Sequence, residues 1–166
     1  MEKGINLSLT RSLVDFDALL DRAIKAVTSK DLSEKEVLYE MNVRKFQVGK
    51  YVEIVEHEED DDDGASTTFW IGYGWEEKEK SKSCFWLEFE PSTCRAKYWD
   101  KIYDLVGTSG KYYHKIDFKF VQKRMNAWVY FFLREEYLSK FYDEKIDLDI
   151  QKEILTGFIS EVLEKI

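Results

Sequence analysis

Two stretches decide the fold: Phe69-Trp70-Ile71-Gly72-Tyr73-Gly74-Trp75 and Cys84-Phe85-Trp86-Leu87-Glu88-Phe89-Glu90. Both alternate with a period of two, which places successive side chains on opposite faces of a strand. Phe69, Ile71, Tyr73 and Trp75 share one side with Phe85, Leu87 and Phe89. Trp70, Gly72, Gly74, Trp86, Glu88 and Glu90 share the other. The polar connection from Glu76 to Lys82 predicts an antiparallel hairpin. A turn centred on Glu79 sets Gly72 opposite Trp86, Trp70 opposite Glu88 and Ile71 opposite Leu87. A slip of one residue would bring mismatched faces together, so the hydrophobic pattern resists it. Two glycines on one face leave bare backbone that something must cover: Trp86 laid across Gly72, a helix, a partner or a ligand. Trp70, Gly72, Gly74 and Trp86 are therefore candidate binding residues.

Outward from the hairpin, Pro91 cannot donate to a sheet ladder and should close the second of these strands. Ser92 is placed to cap an inserted helix running to about Val106, with Tyr98, Ile102, Leu105 and Val106 inward. Lys111 to Phe120 alternates, with Tyr112, His114, Ile116, Phe118 and Phe120 on the apolar side, and His114 reads as a core histidine. Asn126 to Arg134 is a further strand, and Tyr51 to Val55 an earlier one. Leu13, Phe16, Leu19, Leu20, Ala23, Ile24 and Val27 recur at helical spacing within Ser12–Thr28. Ser33 with Glu36 resembles a capping box, and predicts a second helix to about Phe46. Asp147 caps a final helix whose stripe is Ile154, Leu155, Phe158, Ile159, Val162, Leu163 and Ile166. The expectation is one α+β domain over residues 1–166. It has a helical part at 1–47, a mainly antiparallel sheet of about five strands with an inserted helix at 48–134, and a helical part at 135–166.

Length and composition agree with one packed domain. The chain has 166 residues, of which 44% are hydrophobic and 16% aromatic, and that excludes intrinsic disorder. No apolar run approaches a membrane span, and the first residues lack a secretory apolar region. Cys84 and Cys94 read as reduced, partly buried thiols, and the location expected is the cytoplasm. The net charge of −8 is segregated. Glu58–Asp63 is a run of six acids, read as a solvated loop, a weak cation site or a docking surface for a basic partner. Residues 95–124 instead carry eight basic residues against three acidic ones. There, lysines including Lys115 and Lys119 interleave with Tyr98, Trp99, Tyr103 and Tyr113. That pattern suits either a solvated face or a single nucleic-acid strand bound by charge and stacking.

Chemistry-bearing motifs are sparse. His57 and His114 are the two histidines, and the cysteines lack zinc-type pairing. Neither a Gly-rich phosphate loop nor a nucleophile elbow occurs, so no cofactor and no metal site are expected. Asp117-Phe118-Lys119, with Glu88 and Glu90 on another strand, supplies the residue types of a metal-dependent nuclease: acids from neighbouring strands and a lysine near the nucleophile. Outward charges on strands are equally the ordinary solvated face.

From Gly49 onward the order of pieces resembles an accessory C-terminal domain of bacterial PD-(D/E)XK nuclease-like proteins. The residues that carry the likeness are FWIGYGW (69–75), CFWLEFEP (84–91), WVYFFL (128–133) and IQKEILTGFISEVLEKI (150–166). The resemblance implies an accessory or recognition role. The leading expectation is thus a non-catalytic module acting on a protein partner. The alternatives are a hydrolase using Glu88, Glu90, Asp117 and Lys119, and a single-strand binder.

Overall fold

The computed structural model describes residues 3–5, 7, 13–42, 45–57, 66–76, 84–114, 117–121, 126–143 and 145–166. The acidic run, the turn of the central hairpin and Lys115 lie outside the described residues. The fold is α+β. Helix α1 (Leu13–Ala26) leads into β1 (Leu32–Asn42), β2 (Lys45–Ile54), β3 (Thr67–Glu76) and β4 (Cys84–Phe89). A 3-10 turn (Pro91–Thr93) and α2 (Ala96–Asp104) follow. The chain continues with β5 (Asp117–Val121), β6 (Asn126–Phe132), α3 (Glu135–Leu138), a second 3-10 turn (Ser139–Phe141) and α4 (Leu148–Leu163). The strands form one sheet of six in the order β1-β2-β3-β4-β6-β5, and every neighbouring pair is antiparallel.

The central hairpin has the register that alternation predicts, with Gly72 opposite Trp86, Trp70 opposite Glu88 and Ile71 opposite Leu87. Pro91 follows the end of β4, and the Asp147 carboxylate accepts the Asp149 amide at 2.8 Å to cap α4. The core lies between one sheet face and the helices. Phe16 of α1 stacks on Phe85 at 5.5 Å and meets Tyr73, and Phe141 packs on Phe85 at 4.7 Å. Phe158, Ile159, Val162 and Leu163 of α4 are buried completely. Gln151 ties the N-terminal segment to this helix. Its side-chain oxygen accepts the Ile5 amide at 2.8 Å, and its amide donates to the Ile5 carbonyl at 2.6 Å.

Four expectations need correction. Residues 32–42 form the edge strand β1, so within 1–47 helix is confined to α1 among the described residues. The reason is a register shift between Glu34 and Glu36, opposite Val52 and Tyr51. A bulge inserts one residue and exchanges the faces, so apolar residues at 37, 38 and 41 imitate helical spacing. Second, α2 begins at Ala96 behind Arg95, and Ser92 sits instead in the 3-10 turn. Third, the strand after Gly110 is shorter than the alternation suggests, running Asp117–Val121. Fourth, Tyr113 is fully buried and His114 is exposed, the reverse of the expected facing. Tyr113 bridges to Leu133, and Glu161 of α4 accepts the Lys111 and Tyr112 amides at 2.7 and 2.8 Å. The His114 amide also donates to the Phe132 carbonyl at 3.0 Å, and the Tyr112 carbonyl accepts the Arg134 amide at 2.8 Å. Backbone bonds to the end of β6 and the Glu161 carboxylate together set the path of the segment.

Candidate functional site

The second sheet face is ordered in rows of directly opposed residues. One row runs Glu36, Tyr51, Trp70, Glu88, Tyr130 and Asp117 from β1 to β5. The next runs Leu38, Gly49, Gly72, Trp86 and Phe132. A third holds Glu40, Gln47, Gly74 and Cys84. Gly49 faces Gly72 across the ladder, which opens a hollow where two side chains are missing. Trp70 fills it. A Cβ built on Gly49 would lie 2.6 Å from its Cζ2, and one on Gly72 would lie 2.7 Å from its Cη2. Trp86 leans the same way, over Gly74, whose Cβ would meet its Cη2 at 2.9 Å. The expectation that Trp86 lies across Gly72 is thus modified, since Trp70 is the indole that reaches it.

The two indoles pack on each other, with centroids 4.5 Å apart and planes at 37°. Trp70 is only 3% exposed, yet it stands outside the main hydrophobic core. Its indole N–H is buried without a hydrogen-bond partner. Trp86, Tyr51, Tyr130 and Phe132 are half-buried. The Trp86 N–H donates to Glu88 at 3.2 Å, and Tyr130 stacks beside Phe132 at 5.9 Å. Of the four predicted binding residues on this hairpin, the structure brings all together, but in two layers. Trp70 is the buried layer over the glycines, and Trp86 is the outer one. Burial raises the Tyr51 hydroxyl above its ordinary value, and Glu88, Glu36 and Glu90 raise it further. This face is therefore aromatic and negative.

The hydrolase candidates fall in the same region without meeting. Glu88 and Asp117 both oppose Tyr130, so β6 runs between them. Two strand spacings set their backbones roughly 10 Å apart. Lys119 opposes Trp128. Among the described residues, no group of three acids, histidines or cysteines could hold a metal ion. Cys84 and Cys94 are free, and burial pushes the Cys94 thiol up to about 12, so it is a poor nucleophile.

Sequence reasoning missed two features. Gly49 is half of the hollow, and its signal is a glycine inside an alternating strand. Lys50 is the other. It lies in a row with Val37, Ile71 and Leu87, on the core face, with its side chain 3% exposed. It pairs with Glu34 at 2.7 Å and Asp17 at 3.1 Å. No sequence signal marks it, because its partners Asp17 and Glu34 come from α1 and from β1 and meet it only in the fold.

No family model, curated protein or solved structure matches this chain. Among the described residues, no helix is long and apolar enough to cross a membrane.

Proposed function

We propose that the chain is a non-catalytic binding module whose second sheet face docks a lysine- or arginine-rich segment of a protein partner. The observation that supports this most is the set of half-buried rings Tyr51, Trp86, Tyr130 and Phe132 laid over Trp70 on one sheet face, with Glu36 and Glu88 among them. Cations favour such a surface twice, through the ring faces and through the acids. Helix α1 and the second 3-10 turn stack on the opposite face, through Phe16 and Phe141. Half-buried aromatics in a contiguous patch mark an interaction surface more often than scattered apolar residues do. The accessory role implied by the nuclease-like resemblance agrees with this reading.

The test places p-benzoylphenylalanine at Tyr130 and cross-links in native lysate. A basic segment of a partner should be captured, and Glu88→Lys should remove the adduct without changing the melting temperature. An acidic captured segment, capture indifferent to Glu88→Lys, or no adduct at all overturns the reading.

A further inference from the structure

We propose that the outer edge of β1, from Glu36 to Asn42, takes up a segment of a protein partner as a seventh strand of the sheet, and that this segment is three apolar residues flanked by lysine or arginine. β1 ends the strand order, and among the described residues its backbone pairs with β2 alone. In an antiparallel ladder every second residue then turns its N–H and C=O away from the sheet. Native edges are blunted by bulges, prolines, lysines or short length. β1 has its bulge between Glu34 and Glu36, and its one lysine, Lys35, at the same place. Lys35 is held by Glu53 at 3.2 Å and by Ser66 at 3.1 Å. Beyond it the register is unbroken for seven residues, Glu36–Asn42 against Tyr51–Lys45, with neither lysine nor proline on β1.

The side chains of this run define the strand that fits. Tyr39 ends a row of core-face residues, Val48, Tyr73 and Phe85, that are all buried, yet it is itself 46% exposed. Val37 on the same face and Leu38 on the other are half-buried. Apolar residues opposite these three extend the core by one strand and cover the tyrosine ring. Glu36 is exposed at the head of the run, where a basic residue directly opposite is the favourable cross-strand pair. The chain carries −8, so the long-range field also draws a cationic segment. A second copy of this chain fits less well. Centred on Leu38, two antiparallel copies set Glu36 opposite Glu40, and centred on Glu36 that glutamate faces itself. Trp86 and Tyr130 stand on β4 and β6, beyond β2 and β3, so pairing at the edge and docking on the aromatic face are separable.

The probe is a synthetic peptide, Ser-Lys-Val-Ile-Val-Lys-Ser, titrated into the full chain and followed by amide NMR. Saturable shifts and slowed amide exchange should run along Glu36–Asn42. Two further peptides, N-methylated on alternate residues, separate strand pairing from side-chain contact, because only one of the two sets of N–H groups faces β1. One should lose about tenfold or more in affinity and the other should keep it. Glu36→Lys should weaken the lysine peptide by about tenfold and strengthen a version with glutamate in place of both lysines, at an unchanged melting temperature. Equal losses from the two methylated peptides, no charge reversal in Glu36→Lys, or shifts that fail to saturate by about 5 mM overturn the proposal. Sedimentation that shows a dimer of the chain with β1 amides protected overturns it in favour of a second copy. Shifts centred on the Trp86 indole and Tyr130 overturn it too, and leave docking on the aromatic face standing. Edge pairing together with no cross-link from Tyr130 leaves the edge standing and removes the face.

Discussion

Gly72 lies directly beneath the indole of Trp70, two residues away on the same strand, where a Cβ would come within 2.7 Å of Cη2. The backbone is equally close, since that Cβ would stand 2.2 Å from the Val48 carbonyl oxygen and 2.6 Å from the Gly49 Cα. A side chain here must move both a strand and a ring. Gly72→Ala should cost about 1–3 kcal/mol, the usual range for overpacking. Gly107→Ala tests a different cause, because its Cβ meets nothing within 4 Å while its φ is +87°. That change should cost only the roughly 1 kcal/mol of the left-handed backbone. Urea melts of the two variants check the contrast.

Layering separates the two tryptophans. Trp70 is buried against glycine backbone, so Trp70→Ala empties a cavity and should cost about 3–5 kcal/mol. Trp86 is half-buried, and Trp86→Ala should cost about half as much. Equal losses in chemical denaturation would mean that Trp86 is as structural as Trp70, and would leave Tyr130 and Phe132 as the aromatic surface.

The hairpin was legible because its two faces differ in kind, aromatic on one side and tryptophan with glycine on the other, so alternation excludes a one-residue slip and a turn centred on Glu79 sets the register. β1 was not legible, because its bulge exchanges faces between Glu34 and Glu36. Alternation counted along the whole segment then averages to something like a helix. Tyr113 and His114 were inverted for a related reason. Tyrosines flank both faces there, and the bridge of Tyr113 to Leu133, with Glu161 of α4 accepting the Tyr112 amide, decides which is buried. Candidate sites divide the same way. Trp70, Gly72, Gly74 and Trp86 are neighbours in two adjoining strands, whereas Lys50 of β2 meets Asp17 of α1 only in the folded chain.

The stripe of α4 carries the core on the helical side. Phe158 is completely buried, with Leu155, Ile159 and Val162 around its turn. Phe158→Ala should cost about 3–5 kcal/mol, since an aromatic ring is removed from a packed interior. Thermal denaturation followed by circular dichroism measures it. A loss under about 1 kcal/mol, typical of surface positions, would contradict the burial.

Lys50 offers an asymmetric test. Its ammonium is buried among apolar neighbours, while Asp17 and Glu34 are each about one-third exposed. Burial opposes its charge, but the hydrogen bonds to Glu34 and Asp17 outweigh that and raise its pKa above 10.5. Its stabilising contribution is thus present at neutral pH and lost only as pH rises through that higher value. Asp17→Asn with Glu34→Gln strands a buried cation and should cost about 3–5 kcal/mol. Lys50→Met leaves two carboxylates that water can reach and should cost less than about 1.5 kcal/mol. Urea midpoints at pH 7 should rank the variants in that order.

Glu56 governs the acid limb. It is mostly buried beside Arg95 and Lys97. Burial by itself would raise its pKa. Hydrogen bonds from Tyr98 and Lys97, and the charges of Lys97 and Arg95, outweigh this and hold it below 4.5. Glu53 shifts the same way, chiefly through the Ser66 hydroxyl. A carboxylate with a depressed folded pKa binds its proton less readily in the native state than in the unfolded chain. Its contribution is therefore complete above the unfolded value of 4.5 and is lost as pH falls through the folded one. Urea stability should hold level from pH 7 to about 5 and decline below that. Glu56→Gln should lower the plateau and flatten the decline, since the proton-linked part is gone. An unchanged slope below pH 4.5 in that variant would assign the acid sensitivity to other carboxylates.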